Sequence, residues 1–375
     1  MNVLYISDYR SATGYGKAAI EYIRSLNASD INVYCRPLIF DKSNLEKIPE
    51  DIEKIENKRP NNIDVVIQHT LPNHMQYDAE YCNIGMFASE TNSFKASGWS
   101  DHLNMMDGVF VFNNQMVDAC KASGVNQEVK VIPHATNTDK FFRAYKPLDY
   151  IKSLKKNDKF IFYTIGEFNR RKNFASLIMA YLLEFGFDEN VCLLVKTSCK
   201  EEEFFSLCNQ ISDSIKYKNL PEIALINSRL TEEEINSIHY NSDCFVQTSH
   251  GEAWSIPAFD AMCFGKTPIV PAASGYLNYM DNDCGWLVPV YESQVFGMNS
   301  NRPDLYRGDE IWWQVDISKT KQFMREAYEN KENRTKKGEN GMNRAFSFSH
   351  AEIGKLLSEN IKWAIERKSL SGKTL

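Results

Sequence analysis

Short apolar runs alternate with amphipathic helical patterns from one end of the chain to the other, and this alternation restricts the fold more than any other feature. A strand, a helix and a second strand in succession are typical of parallel sheets covered by helices on both faces. The first half contains strand-like runs at residues 3–7, 31–38, 63–69, 83–88, 108–113 and 129–134. The pattern therefore predicts an α/β protein with doubly wound parallel sheets.

A polar stretch over residues 142–158 interrupts this alternation, and a new apolar run at residues 159–165 follows it. Strands and helices then alternate again, and a chain of 375 residues is long enough to form two domains. Toward the end the pattern is less regular, and a long polar loop is predicted over residues 291–309. We predict an N-terminal Rossmann-like domain at 1–150, a C-terminal one at 151–349, and a C-terminal helix in 350–375 that packs back toward the first domain.

The charge and the cysteines of the chain disfavour several classes of protein. A formal net charge of −6 argues against general affinity for nucleic acids or anionic membranes. The first residues lead directly into a strand, so neither a leader peptide nor an integral membrane segment is expected. The nine cysteines are an odd number without a Cys-x-x-Cys pair, which indicates reduced thiols in apolar cores. Together these features predict a cytoplasmic protein.

Two carboxylates, Glu252 and Asp260, stand with seven residues between them after the strand-like run at 244–249. A helical pattern begins at Ile256, and its first turn tolerates Pro257. Glu252 is therefore expected on the loop between strand and helix, and Asp260 just inside the helix. Because the first backbone N–H groups of a helix point outward at its positive end, the sequence predicts an anion site with an acid beside it.

This segment resembles the glutamate–seven residues–glutamate signature of retaining glycosyltransferases of family 4. In that family the segment reads roughly Ser-x-x-Glu-Gly-Phe-Gly-Leu-x-x-x-Glu-Ala-Met. Ala253, Ser255 and Asp260 depart from the pattern. The positions that fit are Ser249, Glu252, Trp254, Ile256, Ala261, Met262, Gly265, Pro268 and Ile269.

The resemblance implies the GT-B fold, in which two Rossmann-like domains face an interdomain cleft. It implies that Glu252 contacts the transferred sugar as a catalytic residue, and that Asp260 holds the ribose of the donor. It also implies donor contacts for Trp254, Ser255 and Ile256 at the helix start.

A basic cluster at residues 170–172 follows the first strand of the second half. Guanidinium and ammonium groups at such a turn can neutralise a diphosphate without a metal ion. Lys172 and Asn173 match the family pattern, whereas Glu167 stands where the family has an arginine directly after the glycine. Lys172 and Arg171 are therefore predicted as catalytic residues and Arg170 as a donor ligand, with the choice of arginine at the diphosphate left open.

Other candidate residues follow from the positions of loops. Arg229 or Leu230 lies where members of the family that this chain resembles carry the loop under the nucleotide base, which implies a donor contact for one of them. In the first half, Gly14, Tyr15 and Gly16 resemble the glycine loop of the family, although a plain tight turn explains them equally well. Gly16 is predicted to contact the donor, and the predicted acceptor ligands are Gly14, Tyr15, His69 and Glu90.

The resemblance, together with the basic cluster, thus implies a metal-independent, retaining hexosyl- or pentosyltransferase that uses a UDP- or GDP-type nucleotide sugar and no cofactor. The acceptor is expected to be a saccharide or another hydroxyl-bearing molecule, and the negative charge disfavours a nucleic-acid acceptor. Asp281 and Asp283 are interpreted as a polar turn and not as metal ligands. Two alternatives remain: a GT-B protein that binds sugar nucleotides without transferase activity, and an epimerase or phosphorylase-like enzyme.

Overall fold

The computed structural model describes residues 1–60, 62–215, 219–298 and 304–370. These form two compact units. The first consists of Met1–Asn137, Arg302–Glu310 and Phe346–Leu375, and the second of Thr138–Asn301 and Ile311–Ala345. The sequence places the boundary after residue 150, whereas the structure divides after Asn137. Residues that follow Asn137 contact other residues of the second unit. The Tyr150 hydroxyl donates a hydrogen bond to Glu222, and Lys155 forms an ion pair with Asp243.

Parallel strands form the main sheet of each unit. The strands are β1 (Asn2–Ser7), β2 (Asn32–Pro37), β3 (Val65–His69), β4 (Cys82–Met86), β5 (Gly108–Val111), β6 (Val129–Val131), β7 (Phe160–Ile165), β8 (Val191–Lys196), β9 (Glu222–Ile226), β10 (Cys244–Phe245), β11 (Ile269–Pro271), β12 (Trp286–Val288), β13 (Val290–Gln294) and β14 (Ile311–Val315). The first unit has the order β2-β1-β3-β4-β5-β6, and the second has β10-β7-β8-β9. The parallel pair β11–β12 continues from β10 through a bridge between Val246 and Ile269. The predicted α/β architecture with two parallel sheets is confirmed.

Helices cover these sheets. They are α1 (Gly14–Asn27), α2 (Glu50–Glu56), α3 (Trp99–Met105), α4 (Asn114–Ala122), α5 (Asp149–Lys156), α6 (Phe174–Glu184), α7 (Glu201–Ile215), α8 (Glu232–Asn241), α9 (Ile256–Cys263), α10 (Ile317–Glu329), α11 (Lys331–Arg344) and α12 (His350–Leu370). α12 belongs to the first unit and packs closely on α1, where a Cβ at Gly354 would lie 2.2 Å from the carbonyl oxygen of Ser25. Among the described residues, no helix combines the length and apolar character that crossing a membrane requires.

The structure corrects one expectation about the second unit and adds one helix that was not predicted. The predicted polar loop over 291–309 begins as strand β13, which pairs in antiparallel fashion with β14; residues 299–303 lie outside the described part of the chain. The polar stretch after α10, for which no helix was predicted, forms α11. Its Gly338 and Gly341 look like helix breakers in the sequence, but they allow close packing against Gly265 and Met262. α11 thereby supports α9, which carries Asp260.

Candidate active site

The turn between β7 and α6 holds the basic residues in a defined conformation. Asn169 caps the short 3-10 helix Arg170–Lys172, because its side-chain oxygen accepts a hydrogen bond from the Lys172 backbone N–H at 3.2 Å. Asn173 then adopts a left-handed conformation with φ of 50°. Its side-chain amide donates to the carbonyl oxygen of Thr248 at 3.1 Å. This bond ties the basic turn to the segment that follows β10.

Lys172 and Arg171 converge on the carboxylate of Glu252. Lys172 Nζ lies 2.6 Å from Glu252 Oε1, and Arg171 Nη1 lies 3.1 Å from Glu252 Oε2. Arg171 also donates to the carbonyl oxygen of Gly251 at 2.8 Å. Two segments that the sequence identified separately therefore form one cluster.

Glu252 is buried, with 5 % of its surface exposed. Burial by itself raises the pKa of a carboxyl group, but the positive charges of Lys172 and Arg171 outweigh that effect and lower the pKa below its ordinary value. The side chain is therefore ionised near neutral pH and can only accept hydrogen bonds. A buried anion held by two cations is typical of functional sites, and its oxygens are suited to bind hydroxyl groups.

Helix α9 begins shortly after Glu252 with a left-handed residue. Ser255 is its N-cap, with φ of 66° and ψ of 76°, and its hydroxyl does not cap the helix. Ile256 and Pro257 form the first turn. Because no side chain of the N-cap residue occupies the positive end of the helix dipole, this end is suited to bind an anion.

The indole of Trp254 packs inside the second unit. Its ring centroid lies 4.8 Å from that of Tyr279 and 5.5 Å from that of Phe259. Gly275 packs against the backbone next to Trp254. A Cβ at Gly275 would lie 2.4 Å from the carbonyl oxygen of Ala253, so only glycine fits there. These contacts fix the backbone between Glu252 and α9.

Gln247 is a site residue that the sequence did not identify, since it was interpreted as part of a buried strand. Its side-chain oxygen accepts hydrogen bonds from the Ser255 hydroxyl at 2.5 Å and the Tyr276 hydroxyl at 3.0 Å. Its side-chain nitrogen lies 3.5 Å from Glu252 Oε1. The predicted strand to residue 249 ends early at Phe245, so this residue lies beyond the regular ladder.

Asp260 lies in α9 and is 7 % exposed. Lys140 Nζ approaches Asp260 Oδ1 to 2.9 Å, and both side chains are largely buried. The sequence analysis did not identify Lys140 either, because the residues next to it in the sequence do not indicate that it pairs with Asp260. The acid that the family resemblance assigns to the ribose is thus part of a buried ion pair.

The structure separates the two arginines of the basic turn. Arg170 Cζ lies 4.8 Å from the ring centroid of Phe296, whereas Arg171 binds Glu252. Arg229 is exposed and Leu230 is half-buried, in the loop after β9.

The predicted acceptor residues lie in the first unit, next to the carboxyl ends of β1, β3 and β4. The ring centroids of Tyr15 and His69 are 4.9 Å apart, and the Tyr15 hydroxyl oxygen accepts a hydrogen bond from the Ala88 N–H at 2.7 Å. Glu90 accepts a hydrogen bond from the Tyr306 hydroxyl at 2.9 Å. The start of α1, the end of β3 and the segment after β4 therefore meet within this unit.

The glycines at the start of α1 differ in their surroundings. A Cβ at Gly14 would meet no atom within 4 Å. A Cβ at Gly16 would lie 2.1 Å from the carbonyl oxygen of Ser11, so packing alone requires glycine there. The donor contact predicted for Gly16 has no further support from this geometry.

His69 is expected to make the stability of the first unit sensitive to acid. Burial, with a smaller effect of His134, lowers the pKa of His69 to about 3. In the unfolded chain this histidine binds a proton near its ordinary pKa of about 6.5. The free energy of unfolding is therefore not reduced by His69 above that pH, and it decreases as the pH falls from about 6.5 toward 3. The free energy of unfolding should decrease by up to about 1.4 kcal/mol per pH unit in this window.

Denaturant unfolding at pH 7 and pH 4 measures this effect. His69→Gln, which retains an acceptor for the Tyr5 hydroxyl that binds His69 Nδ1 at 2.7 Å, should show a smaller decrease than the wild type. An equal decrease in both proteins would assign the acid sensitivity to other groups.

The described residues contain no group of three or more His, Cys, Asp or Glu side chains that could hold a metal ion. In the segment interpreted as a polar turn, Asp281 Oδ1 accepts a hydrogen bond from the Asp283 N–H at 3.0 Å, and Asp281 pairs with Arg344 at 2.8 Å.

Part of the chain matches a known protein family. Residues 147–299, which include Lys172, Glu252 and Asp260, match the family described as "Glycosyl transferases group 1". No curated protein matches the sequence of the chain.

Solved structures resemble the chain over nearly its whole length. Sucrose-phosphate synthase from Thermosynechococcus elongatus matches with a TM-score of 0.66 and 13 % identity, over 97 % of this chain and 98 % of that chain. HepE of Anabaena in complex with UDP-glucose matches with a TM-score of 0.65 and 12 % identity, over 96 % and 99 %. A trehalose-6-phosphate structure from E. coli, bound with UDP-2-fluoro glucose, matches with a TM-score of 0.68 and 10 % identity, over 96 % and 99 %. At these identities the likeness shows the fold, and it confirms the predicted GT-B fold.

Proposed function

Residues 147–299 match the group 1 glycosyltransferase family, and the chain has a GT-B fold. From this premise we propose that the chain transfers a sugar from a nucleoside-diphosphate donor to an acceptor hydroxyl, with retention of the anomeric configuration and without a metal ion. One observation carries the proposal: Lys172 and Arg171 meet the buried carboxylate of Glu252 shortly before the start of α9. Cations and a helix N-terminus suit a diphosphate, and a carboxylate suits the attached sugar.

In the proposed reaction, the bond between the anomeric carbon and the diphosphate oxygen breaks, and the acceptor oxygen bonds to the same face of that carbon. The departing phosphate takes the proton of the acceptor. Positive charge develops on the sugar and negative charge on the diphosphate. Lys172, Arg171 and the α9 N-terminus stabilise the negative charge, while Glu252 binds the sugar and stabilises the positive charge.

The remaining assignments are proposed from the family resemblance and, for the arginine at the diphosphate, from its contacts. Arg171, and not Arg170, is the arginine assigned to the diphosphate, because Arg171 lies with Lys172 at Glu252. Asp260 is assigned to the ribose and the loop of Arg229 to the base. Glu90, Tyr15 and their neighbours in the first unit are assigned to the acceptor.

A panel of UDP, GDP and ADP tests the donor class through thermal stability. We expect UDP to raise the melting temperature most, since HepE and the E. coli structure hold UDP-linked ligands. Release of UDP from UDP-glucose, with water or an added saccharide as acceptor, then tests catalysis. Absence of stabilisation by every nucleotide would refute the proposal.

The reaction is expected to continue in EDTA, because cationic side chains replace the metal ion at the diphosphate. The measurement is UDP release from UDP-glucose before and after chelation, with added Mn²⁺ or Mg²⁺ as a control. Complete loss in EDTA with recovery on adding Mn²⁺ would assign the reaction to a metal-dependent class.

A second candidate function is binding of a nucleotide sugar without transfer. The ion pair between Asp260 and Lys140 favours it, because the carboxylate assigned to the ribose is already bound to a cation. Stabilisation by UDP together with no UDP release from UDP-glucose, tested with a range of saccharides, would support this function instead.

A further inference from the structure

Gln247 connects three separate turns of the second unit. It is 3 % exposed, and its hydrogen-bond partners are Ser255 at the start of α9 and Tyr276 in the 3-10 helix Ser274–Asn278. Its amide nitrogen lies 3.5 Å from Glu252. Both hydroxyl partners are buried as well, so their bonds form where water does not compete.

The chemistry of Glu252 determines which end of the Gln247 amide faces it. An ionised carboxylate can only accept hydrogen bonds, so the NH₂ group must face Glu252. The carbonyl oxygen then faces the two hydroxyl groups, which can both donate to it. Each end of this amide is therefore matched to its neighbours, which fixes its orientation.

Ser255 explains why such a side chain is needed. Its φ of 66° and ψ of 76° lie in the left-handed region, which favours glycine. The sequence pattern of family 4, which this segment resembles, has glycine at this position. Its hydroxyl points to Gln247 at 2.5 Å and does not cap α9. The bond to Gln247 thus holds a strained residue while it keeps the hydroxyl away from the helix N-terminus.

We propose that Gln247 is a positioning residue of the active site, which orients the Glu252 carboxylate toward the sugar and holds Ser255 in the left-handed turn before α9. This inference rests on the proposed transferase function. Gln247 touches neither donor nor acceptor in this role and acts through Glu252 and the α9 N-terminus.

Gln247→Leu tests the role with a side chain of similar size that lacks polar atoms. The melting temperature should fall, because two buried hydroxyl groups lose their acceptor. The kcat of UDP release from UDP-glucose should fall by about 10-fold or more, with a smaller change in KM. Adding Ser255→Gly should restore much of the melting temperature, since glycine accepts the left-handed turn, but it should not restore kcat.

Asn241→Leu is the matched control. Asn241 lies at the end of α8 in the same unit, and its side-chain amide donates to the carbonyl oxygens of Tyr145 and Ser237. Its loss should lower the melting temperature and leave kcat unchanged. A wild-type kcat in Gln247→Leu, or a kcat fully restored by Ser255→Gly, would overturn the proposed positioning of Glu252.

Gln247→Glu gives a readout that a purely structural role would not change. The new carboxylate would lie beside Glu252. Among the described residues, the charged or titratable groups that act on Glu252 include Lys172 and Arg171 of the basic turn and Tyr276 and Tyr279 after β11. Repulsion between like charges should move the acid limb of the kcat/KM profile upward by about one pH unit or more. An acid limb at the wild-type pH would count against the contact with Glu252.

Failure of the inference is distinguishable from failure of the proposed function. A wild-type protein that is not stabilised by UDP and releases no UDP from UDP-glucose contradicts the function. The melting temperatures of Gln247→Leu, Ser255→Gly and the double variant still test the contact, because residues in contact show non-additive effects. Additive changes in these three proteins would overturn the inference by themselves.

Discussion

Lys172→Ala is expected to lower the turnover of UDP-glucose by about 10²-fold or more while the fold is retained. Lys172 Nζ is assigned to the diphosphate, where negative charge grows as the bond to the sugar breaks. An interaction that strengthens in the transition state lowers the barrier, so its loss appears in kcat. The fold should survive because Arg171 remains 3.1 Å from Glu252 and keeps that buried carboxylate paired.

Lys159→Ala provides a matched control for this experiment. Lys159 also forms an ion pair, with Glu222 at 3.0 Å, but it precedes β7, whereas Lys172 follows the opposite end of the same strand. Its removal should leave turnover close to that of the wild type. Similar turnover for Lys172→Ala and the wild type, measured as UDP release, would show that Lys172 does not act on the diphosphate.

Regular periodicity made most of the fold predictable from the sequence. The runs predicted at residues 3–7 and 63–69 correspond to β1 and β3, and their ends differ by no more than two residues. The prediction failed where local patterns carry little information. β13 is polar and is held by pairing with a distant strand, and α11 is polar with two glycines that pack against α9.

The candidate site was predictable only in part, for a related reason. Glu252, Lys172 and Arg171 were predicted because they follow apolar strands at helix starts and because their segments resemble those of family 4. Gln247 and Lys140 were not found, since the contacts that give them significance come from segments remote in sequence. The sequence also left open which of Arg170 and Arg171 binds the diphosphate, whereas their neighbours in the structure differ.

Glu252→Gln is expected to lower kcat by about 10²-fold with little change in KM for UDP-glucose. Its amide oxygen can still accept a hydrogen bond from Lys172, but the negative charge beside the sugar is lost. Because that charge matters most when positive charge develops on the sugar, the substitution should affect the transition state more than donor binding. Free UDP, measured by calorimetry, should therefore bind this variant nearly as well as it binds the wild type.

Asp260→Asn is expected to show the opposite pattern, with KM for UDP-glucose raised and the affinity for free UDP lowered by about 10-fold each. The ribose does not change during the reaction, so a contact to it contributes uniform binding and leaves kcat nearly unchanged.

The ion pair with Lys140 requires a separate control, because Asp260→Asn also removes the counter-charge of a buried ammonium group and should lower stability. Lys140→Met breaks the same pair but leaves the carboxylate. If Asp260 binds the ribose, UDP should bind Lys140→Met at least as well as the wild type, since the carboxylate no longer has to leave Lys140 to bind the donor. Equal weakening of UDP binding in both variants would mean that Asp260 acts through the ion pair and not on the nucleotide.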